Sequence, residues 1–337
     1  MDTLNSFKVP TVLITNDDGP LSDESPFIET FIEILQQRLG WKVRVCIPSS
    51  QRSWIAKAFL VNKDVVIKEY QPSSAAIAYE SGSWYTATGT PASCVNIALH
   101  HLFSDIDLVI SGPNLGSNIA NTCAMASGTL GAAMEAALLN KKALALSFAF
   151  YNHDISSDKV NNACNVACTV IEKLWRSDAW SATNAGVFNV NVPIANNPSP
   201  DVFMTTMGRS HFGSLYRKVG DCQHKAKGIN PITGLPLSKE TDEKVSKHLR
   251  IAVDDGQNVV NSETSAGEDF TQDGEDGAVY VFSASVSVDN EAGEGTDIWA
   301  VRKRAVSITP LRPELGSLGN ADQQALWNEL GFTPFIE

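Results

Sequence analysis

Val12-Leu13-Ile14-Thr15-Asn16-Asp17-Asp18-Gly19 is the stretch on which the reading of this chain turns. Its first four residues are apolar or β-branched and predict a buried strand. The strand runs directly into two adjacent acids and a glycine. In an open parallel sheet, ligands sit beyond the carboxyl ends of the strands, so Asp17 and Asp18 are placed where chemistry is done. Two neighbouring carboxylates repel each other, and a hard cation is the usual compensation. The bland alternative is an Asx turn in which both acids face solvent and Gly19 supplies the bend.

Outward from this stretch, short β-branched runs alternate with helical patterns, as expected of a parallel sheet covered by helices. A helix opens with Ser25 as N-cap and Pro26 at its first position. It carries Phe27, Phe31, Ile34, Leu35 and Leu39 on one face and stops at Gly40. Val43 to Ile47 is the second strand. Val65 to Ile67, Ala76 to Tyr79 and Trp84 to Ala87 read as a more exposed β region. A helix over Ala92 to Phe103 precedes the buried strand Leu108 to Ile110. Then follow a helix over Gly128 to Asn140, a strand over Ala143 to Phe148, a helix over Asn162 to Arg176 and a strand over Gly186 to Val192. From Arg217 to Gly277 the pattern turns polar, as in a β-rich excursion with an acidic loop. Strands at Val279 to Val288 and Ala305 to Thr309 and a helix at Asp322 to Leu330 complete the expectation. No internal repeat is visible.

The 337 residues, 43% hydrophobic and 19% charged, are enough for one large α/β domain with an excursion. A formal net charge of -12 argues against a nucleic-acid groove or an anionic membrane surface as partner. A small phosphorylated substrate stays compatible with it, because one metal ion reverses the local sign. Much of the acidity is local, with eight Asp and Glu residues and no Lys or Arg between Asp254 and Gly277. Met1 to Pro10 lacks the apolar core of a secretory signal, and no apolar run approaches the length of a membrane span. The six cysteines form no CxxC pair, which suits buried reduced thiols and a cytoplasmic location.

Two further segments share the polar character of the first loop. The strand Leu108 to Ile110 ends in Ser111-Gly112-Pro113-Asn114-Leu115-Gly116-Ser117-Asn118, whose hydroxyls and carboxamides offer oxygen ligands without added charge; a generic turn cluster is the alternative. Ala126-Ser127-Gly128-Thr129-Leu130-Gly131 opens a helix with small residues, either as an anion site or as a plain N-cap by Ser127. It is not a P-loop, since the GxxxxGK[ST] lysine is absent, and no GxGxxG follows the first strand. Ser53, in Gln51-Arg52-Ser53, is a weak neutral ligand candidate beside a cationic Arg52.

In order along the chain, ITNDDG (Ile14 to Gly19), QRS (Gln51 to Ser53), TGTPASCV (Thr88 to Val95) and SGPNLGSN (Ser111 to Asn118) come first. SGTLGAAMEA (Ser127 to Ala136), NVNVP (Asn189 to Pro193), GTD (Gly295 to Asp297) and SITPL (Ser307 to Leu311) follow. As an ordered set these segments resemble the SurE survival-protein family of metal-dependent nucleotidases and acid phosphatases, in a eukaryotic-type member. The resemblance implies an α/β fold: a Rossmann-like doubly wound, mostly parallel sheet with a β-rich excursion and a C-terminal extension. It implies a catalytic core over residues 8–216, the excursion over 217–280, and C-terminal strands and a helix over 281–337 returning to the core or to a partner subunit.

The resemblance also implies one divalent ion, Mg2+ or Mn2+, held by Asp17, Asp18, Ser53 and Asn114. Asn16 and Asn118 would share the pocket, Ser127, Gly128 and Thr129 would cradle phosphate, and Gly89 and Thr90 would lie near the substrate. The implied activity is metal-assisted attack of water on nucleoside monophosphates or related small phosphate monoesters, with a homodimer or homotetramer as the assembly. The alternative is a nucleotide-binding or regulatory module on the same fold with weak turnover. An aspartyl-phosphate mechanism fits less well, because its DxD motif is replaced here by adjacent acids. None of the six histidines falls in a matched segment, so no general acid is apparent. The chain departs from bacterial members at Trp54, where they carry glycine, and at Ala126, where tyrosine is common. The loop from Asn118 to Ser127 is one residue longer.

Overall fold

Val12, Leu13 and Ile14 have no exposed surface, and burying each such side chain contributes about 1.5–3 kcal/mol, which places this strand at the centre of the sheet. The computed structural model describes residues 8–151, 155–218, 280–282, 286–288 and 293–314. The elements run β1 (Thr11–Thr15), α1 (Ile28–Leu39), β2 (Lys42–Pro48), β3 (Ile67–Glu69), β4 (Trp84–Ala87), α2 (Pro91–Ile97), β5 (Leu108–Leu115), α3 (Ala120–Ala126), α4 (Gly128–Leu138) and β6 (Lys142–Ala149). They continue with α5 (Ser157–Arg176), α6 (Ala179–Thr183), β7 (Val187–Pro193), β8 (Val202–Met204), β9 (Ser210–Phe212), β10 (Tyr216–Lys218), β11 (Tyr280–Phe282), β12 (Val286–Val288), α7 (Asp297–Arg302) and β13 (Val306–Leu311).

Among the described residues the main sheet has nine strands in the order β3-β4-β2-β1-β5-β6-β7-β13-β8. The six strands from β4 to β7 are mutually parallel, and their spatial order reverses between β1 and β5. This is the Rossmann-like doubly wound arrangement, and the β1/β5 boundary is its topological switch point. The two strands run in register, with Val12 opposite Leu108 and Thr15 opposite Ser111, so their polar continuations emerge at one level. β3 is an antiparallel edge, and β13 pairs antiparallel to β7.

Two apolar layers cover the sheet. Phe27, Phe31 and Leu35 of the α1 segment join Ala163, Cys164, Ala167 and Ile171 of α5 on one face. Cys94 and Val95 of α2 join Leu130, Ala132, Ala133 and Ala136 of α4 on the other. The alanine-rich face of α4 has no bulk to hold it off the sheet, so the helix packs on β5 and β6 and its first turn meets Asp17 in the loop after β1. The five described cysteines are free, and four of them are buried.

Several boundaries differ from expectation for definable reasons. α1 starts at Ile28 with Phe27 as its N-cap, not at Pro26 with Ser25 as N-cap, because the Ser25 hydroxyl donates to the Gly19 carbonyl and accepts from Asn16 Nδ2. Ala76 to Tyr79 is not a strand; the Ala78 N–H and carbonyl bond the Gln36 side chain instead of a neighbouring strand. The helix after Pro91 gives way to a π-helical turn over Ala98–Leu102. β5 runs past Ile110 to Leu115, with a register shift between Ser111 and Asn114 against β6. A Cβ on Gly112 would lie 2.1 Å from the Leu146 carbonyl oxygen, at φ +123, so only glycine fits that irregularity. The acidic loop Asp254 to Gly277, Cys222 and the helix expected at Asp322 to Leu330 lie outside the described residues.

Candidate metal centre

The loop after β1 is shaped by Asn16. Its Oδ1 accepts from the Gly19 N–H at 3.0 Å, and its Nδ2 donates to the Gly19 carbonyl at 2.8 Å. The Asn16 side chain does close a turn over Gly19, but Asp17 and Asp18 within it face inward: they are 2% and 5% exposed. Asn16 spends its amide on this turn, so it shapes the loop from within.

Asp17 meets the start of α4. Thr129 Oγ1 donates to Asp17 Oδ1 at 2.5 Å. A Cβ on Gly128 would fall 2.7 Å from the Asp17 Cβ, so the carboxylate occupies the space a side chain would fill. Burial pushes the Asp17 carboxyl above its ordinary value, against the Thr129 hydroxyl and the backbone N–H groups of Thr129 and Gly128, which hold it down. The amides expected to face a phosphate are thus aimed at Asp17 here. Ser127 accepts from the Leu130 N–H at 3.1 Å as a true N-cap, and its hydroxyl proton stays available.

Asp18 meets the β5 end. The Leu115 N–H donates to Asp18 Oδ2 at 3.0 Å. Burial, followed by the charge on Asp17, pushes the Asp18 carboxyl well above its usual range. Asn114, the residue before Leu115, commits Nδ2 to the Gly116 carbonyl at 2.7 Å, which leaves Oδ1 as its uncommitted oxygen. Among the described residues no Lys, Arg or His forms an ion pair with either acid.

The third wall is the loop from Gln51 to Ala56. The Arg52 N–H donates to the Asp17 carbonyl at 2.6 Å, and the Ala56 N–H to the Ala126 carbonyl at 3.0 Å. The loop therefore bridges β1 and the α3–α4 junction, with Ser53 between the two anchors. The Ser53 hydroxyl accepts from Gln51 Nε2 at 2.6 Å. Trp54 and Ala56 take φ of +63 and +53, a region that costs a non-glycine residue of order 1–3 kcal/mol.

Asn118 is held by residues to which the sequence reading gave no individual role. Its N–H donates to Asn191 Oδ1, its carbonyl accepts from Asn189 Nδ2, and its Nδ2 donates to Ser147 Oγ at 2.9 Å. Asparagines at alternate positions of the otherwise apolar, fully buried β7 were the available signal. Gly89 and Thr90 do different work. Thr90 caps α2 through the Ser93 N–H and donates to the Ala58 carbonyl, and Gly89 packs against Ser93 and Val65. None of these contacts involves Asp17 or Asp18.

The structure thus brings Asp17, Asp18, Asn114, Thr129 and the Ser53 loop to one crevice at the sheet's switch point. The donor set is all oxygen, and no group of three or more His, Cys, Asp or Glu residues forms a metal site among the described residues. Two buried carboxylates flanked by neutral oxygens have the donor chemistry of a hard divalent cation. The fold and crevice define an α/β protein of the SurE type: the family model for survival protein SurE matches residues 12–214, and the chain belongs to that family.

Individual relatives agree. The chain is 27% identical over 305 residues to the 5'-nucleotidase SurE of Clostridium botulinum (strain Langeland), covering 90% of this chain and 93% of that protein. It is 30% identical over 211 residues to the 5'-nucleotidase SurE of Chlorobium limicola, 62% of this chain and 74% of that one. A probable tubulin–tyrosine ligase, PBY1, of Saccharomyces cerevisiae is 35% identical over 224 residues; the match spans 56% of this chain but only 29% of that longer protein. The crystal structure of the SurE protein from Aquifex aeolicus superposes with a TM-score of 0.60 at 22% identity, over 96% of this chain and 100% of the other, which shows the shared fold. No helix among the described residues is long and apolar enough to cross a membrane.

Proposed function

We propose that this chain is a divalent-metal-dependent phosphomonoesterase that hydrolyses nucleoside monophosphates or related small phosphate monoesters. The observation that carries this reading is the pair Asp17 and Asp18, both buried, with no cationic side chain in ion-pair contact among the described residues. Leaving two like charges in a desolvated crevice is costly, and a cation is what relieves it. Asp17, Asp18, Ser53 and Asn114 would hold the ion, and Mg2+ or Mn2+ suits their hard oxygens. When bound, it would supply charge neutralisation for the transferring phosphoryl group and a nucleophilic water at neutral pH.

The chain's own groups do the positioning. Thr129 and the first amides of α4 keep Asp17 oriented and favour its ionised form. The Leu115 N–H fixes Asp18, and the Asn191, Asn189 and Ser147 contacts fix Asn118. The Ser127 hydroxyl, capping α4 through its oxygen, keeps a proton to donate to a phosphate oxygen. The names of the bacterial relatives, both 5'-nucleotidases, support a nucleotide as the substrate.

The test is phosphate release from a nucleoside monophosphate, with EDTA and with Mg2+ or Mn2+ restored. Release should vanish with chelation and return with metal. Asp17→Asn should lower turnover about a thousand-fold while circular dichroism stays unchanged. A folded Asp17→Asn protein with normal turnover would sink the ligand assignment. Metal and nucleotide binding without release would instead identify a non-catalytic binding module.

A further inference from the structure

Trp54 follows directly after Ser53 in the loop that bridges β1 and the start of α4. Its left-handed backbone suits a glycine and strains a residue bearing a Cβ. The loop cannot relax freely: Arg52 is bonded to Asp17, Ala56 to Ala126, and the Ile55 side chain fills the space beside Gly128. A Cβ on Gly131 would sit 2.3 Å from the Ala56 carbonyl oxygen, so the loop lies flush on the first turn of α4. The indole is thus rooted between two contacts to the elements that carry Asp17 and Thr129.

The indole meets rings from outside the main sheet. Its centroid is 5.5 Å from Phe212 of β9 and 5.2 Å from Phe282 of β11, the latter edge-on. Tyr216 of β10 stacks edge-on against Phe282 at 5.6 Å and is 57% exposed. β9 is tied back to α3 by Ser210, whose N–H donates to Asn121 Oδ1 at 2.7 Å. None of these four aromatic residues belongs to the apolar clusters that fill the core. Trp54, Phe212 and Phe282 are only half-buried. Backbone strain and wetted aromatic surface are both unfavourable for the fold alone. A planar, uncharged partner laid against the rings removes the second and offsets the first.

We propose that Trp54, backed by Phe212, Phe282 and Tyr216, is a stacking wall for the base of a nucleoside monophosphate whose phosphate lies at the Asp17–Asp18 crevice. The proposal rests on the phosphomonoesterase reading and names what selects the substrate. A sugar or glycerol moiety would leave the wall in water, whereas a base would cover it. The wall therefore sets the preference for nucleotides over phosphate esters without an aromatic ring.

The experiment compares kcat/KM for a nucleoside monophosphate with that for glycerol phosphate, in the full chain and in Trp54→Ala, Trp54→Phe and Phe282→Ala. The nucleotide-to-glycerol ratio should fall about ten-fold in Trp54→Ala, through KM, and be largely kept in Trp54→Phe, since base–aromatic stacking tolerates any aromatic face. A nucleoside monophosphate should also quench tryptophan emission in the parent chain. Ribose 5-phosphate should not, and Trp54→Phe should lose the response. An unchanged ratio in both alanine variants, with melting temperatures unchanged, would overturn the wall. So would equal losses on both substrates, which packing of the β9–β11 region alone would produce. If the parent chain releases phosphate from neither ester, the phosphomonoesterase reading fails, and the quenching comparison still decides whether the wall binds a base.

Discussion

Asp18 and Asp297 are the same residue at nearly the same burial, 5% and 0% exposed, and the fold treats them in opposite ways. Asp297, at the start of α7, accepts from the backbone N–H groups of Ala120, Gly208 and Ile298 at 2.8 to 2.9 Å. Burial raises its carboxyl, and those three amides hold the rise in check. Asp18 has the Leu115 N–H as its backbone donor and a second carboxylate beside it, so burial and the Asp17 charge act together. A buried carboxylate whose acceptor sites are filled by amides is a fastener, joining α3, the β8–β9 connection and α7. One left short of donors next to a like charge fits the cation site proposed for it. Burial does not separate the two roles; the donor count does.

That contrast breaks most sharply at Asp18. Asp18→Asn should lower metal-dependent turnover about a thousand-fold while raising the melting temperature of the metal-free protein at neutral pH, because the cost of a buried carboxyl beside Asp17 is gone. Since the folded Asp18 carboxyl titrates above its unfolded value, its contribution to metal-free stability is fully present below the ordinary carboxylate range. That contribution is lost as pH rises from about 4 through the raised value. Thermal melts in EDTA across this range should show that fall in the parent protein and a flatter profile in Asp18→Asn. A variant less stable than its parent at pH 7 in EDTA would place Asp18 with the fasteners.

Asp297→Ala should do the reverse. Three buried amides lose their acceptor, and stability should drop by about 3–5 kcal/mol, read as the shift in a urea midpoint. Addition of divalent metal should not offset the loss beyond its effect on the parent. The smallest of the effects lies at Thr129, whose hydroxyl links the helix start to Asp17. Thr129→Val should weaken Mn2+ binding, measured by calorimetry, by about 10–100-fold with little change in fold stability. Unchanged affinity would mean that the bond positions α4 and not the ligand.

The same distinction governs what could be read before any coordinates. Trp84–Ala87 has the bounds expected of it, set by its aromatic and β-branched residues, but it is not the more exposed strand expected: β4 lies inside the sheet between β3 and β2, with Trp84 and Ala87 fully buried. Ser25 does not cap the helix as expected, because the serine serves the turn closed by Asn16, a partner nine residues away. β8, β9, α3 and α7 went unseen; each has seven residues or fewer, too short for a period to show. At the site, Asp17, Asp18, Asn114 and Thr129 were named from their segments and lie together. Leu115 was not named, because a backbone amide carries no residue signature. Asn189 and Asn191 were quoted only as part of a motif, although polar residues inside a buried strand call for partners.

On its own, the sequence determined that an apolar strand would end in two acids, that a second would end in hydroxyls and carboxamides, and that a helix would open with small residues. Those are local properties, set by propensity, periodicity and side-chain chemistry. Only the tertiary structure decided that the three ends share one crevice. Asp17 and Thr129 are 112 positions apart, and the register of β1 on β5 and the close seat of an alanine-faced α4 bring their oxygens to 2.5 Å. That proximity depends on how layers pack, and no single segment carries it.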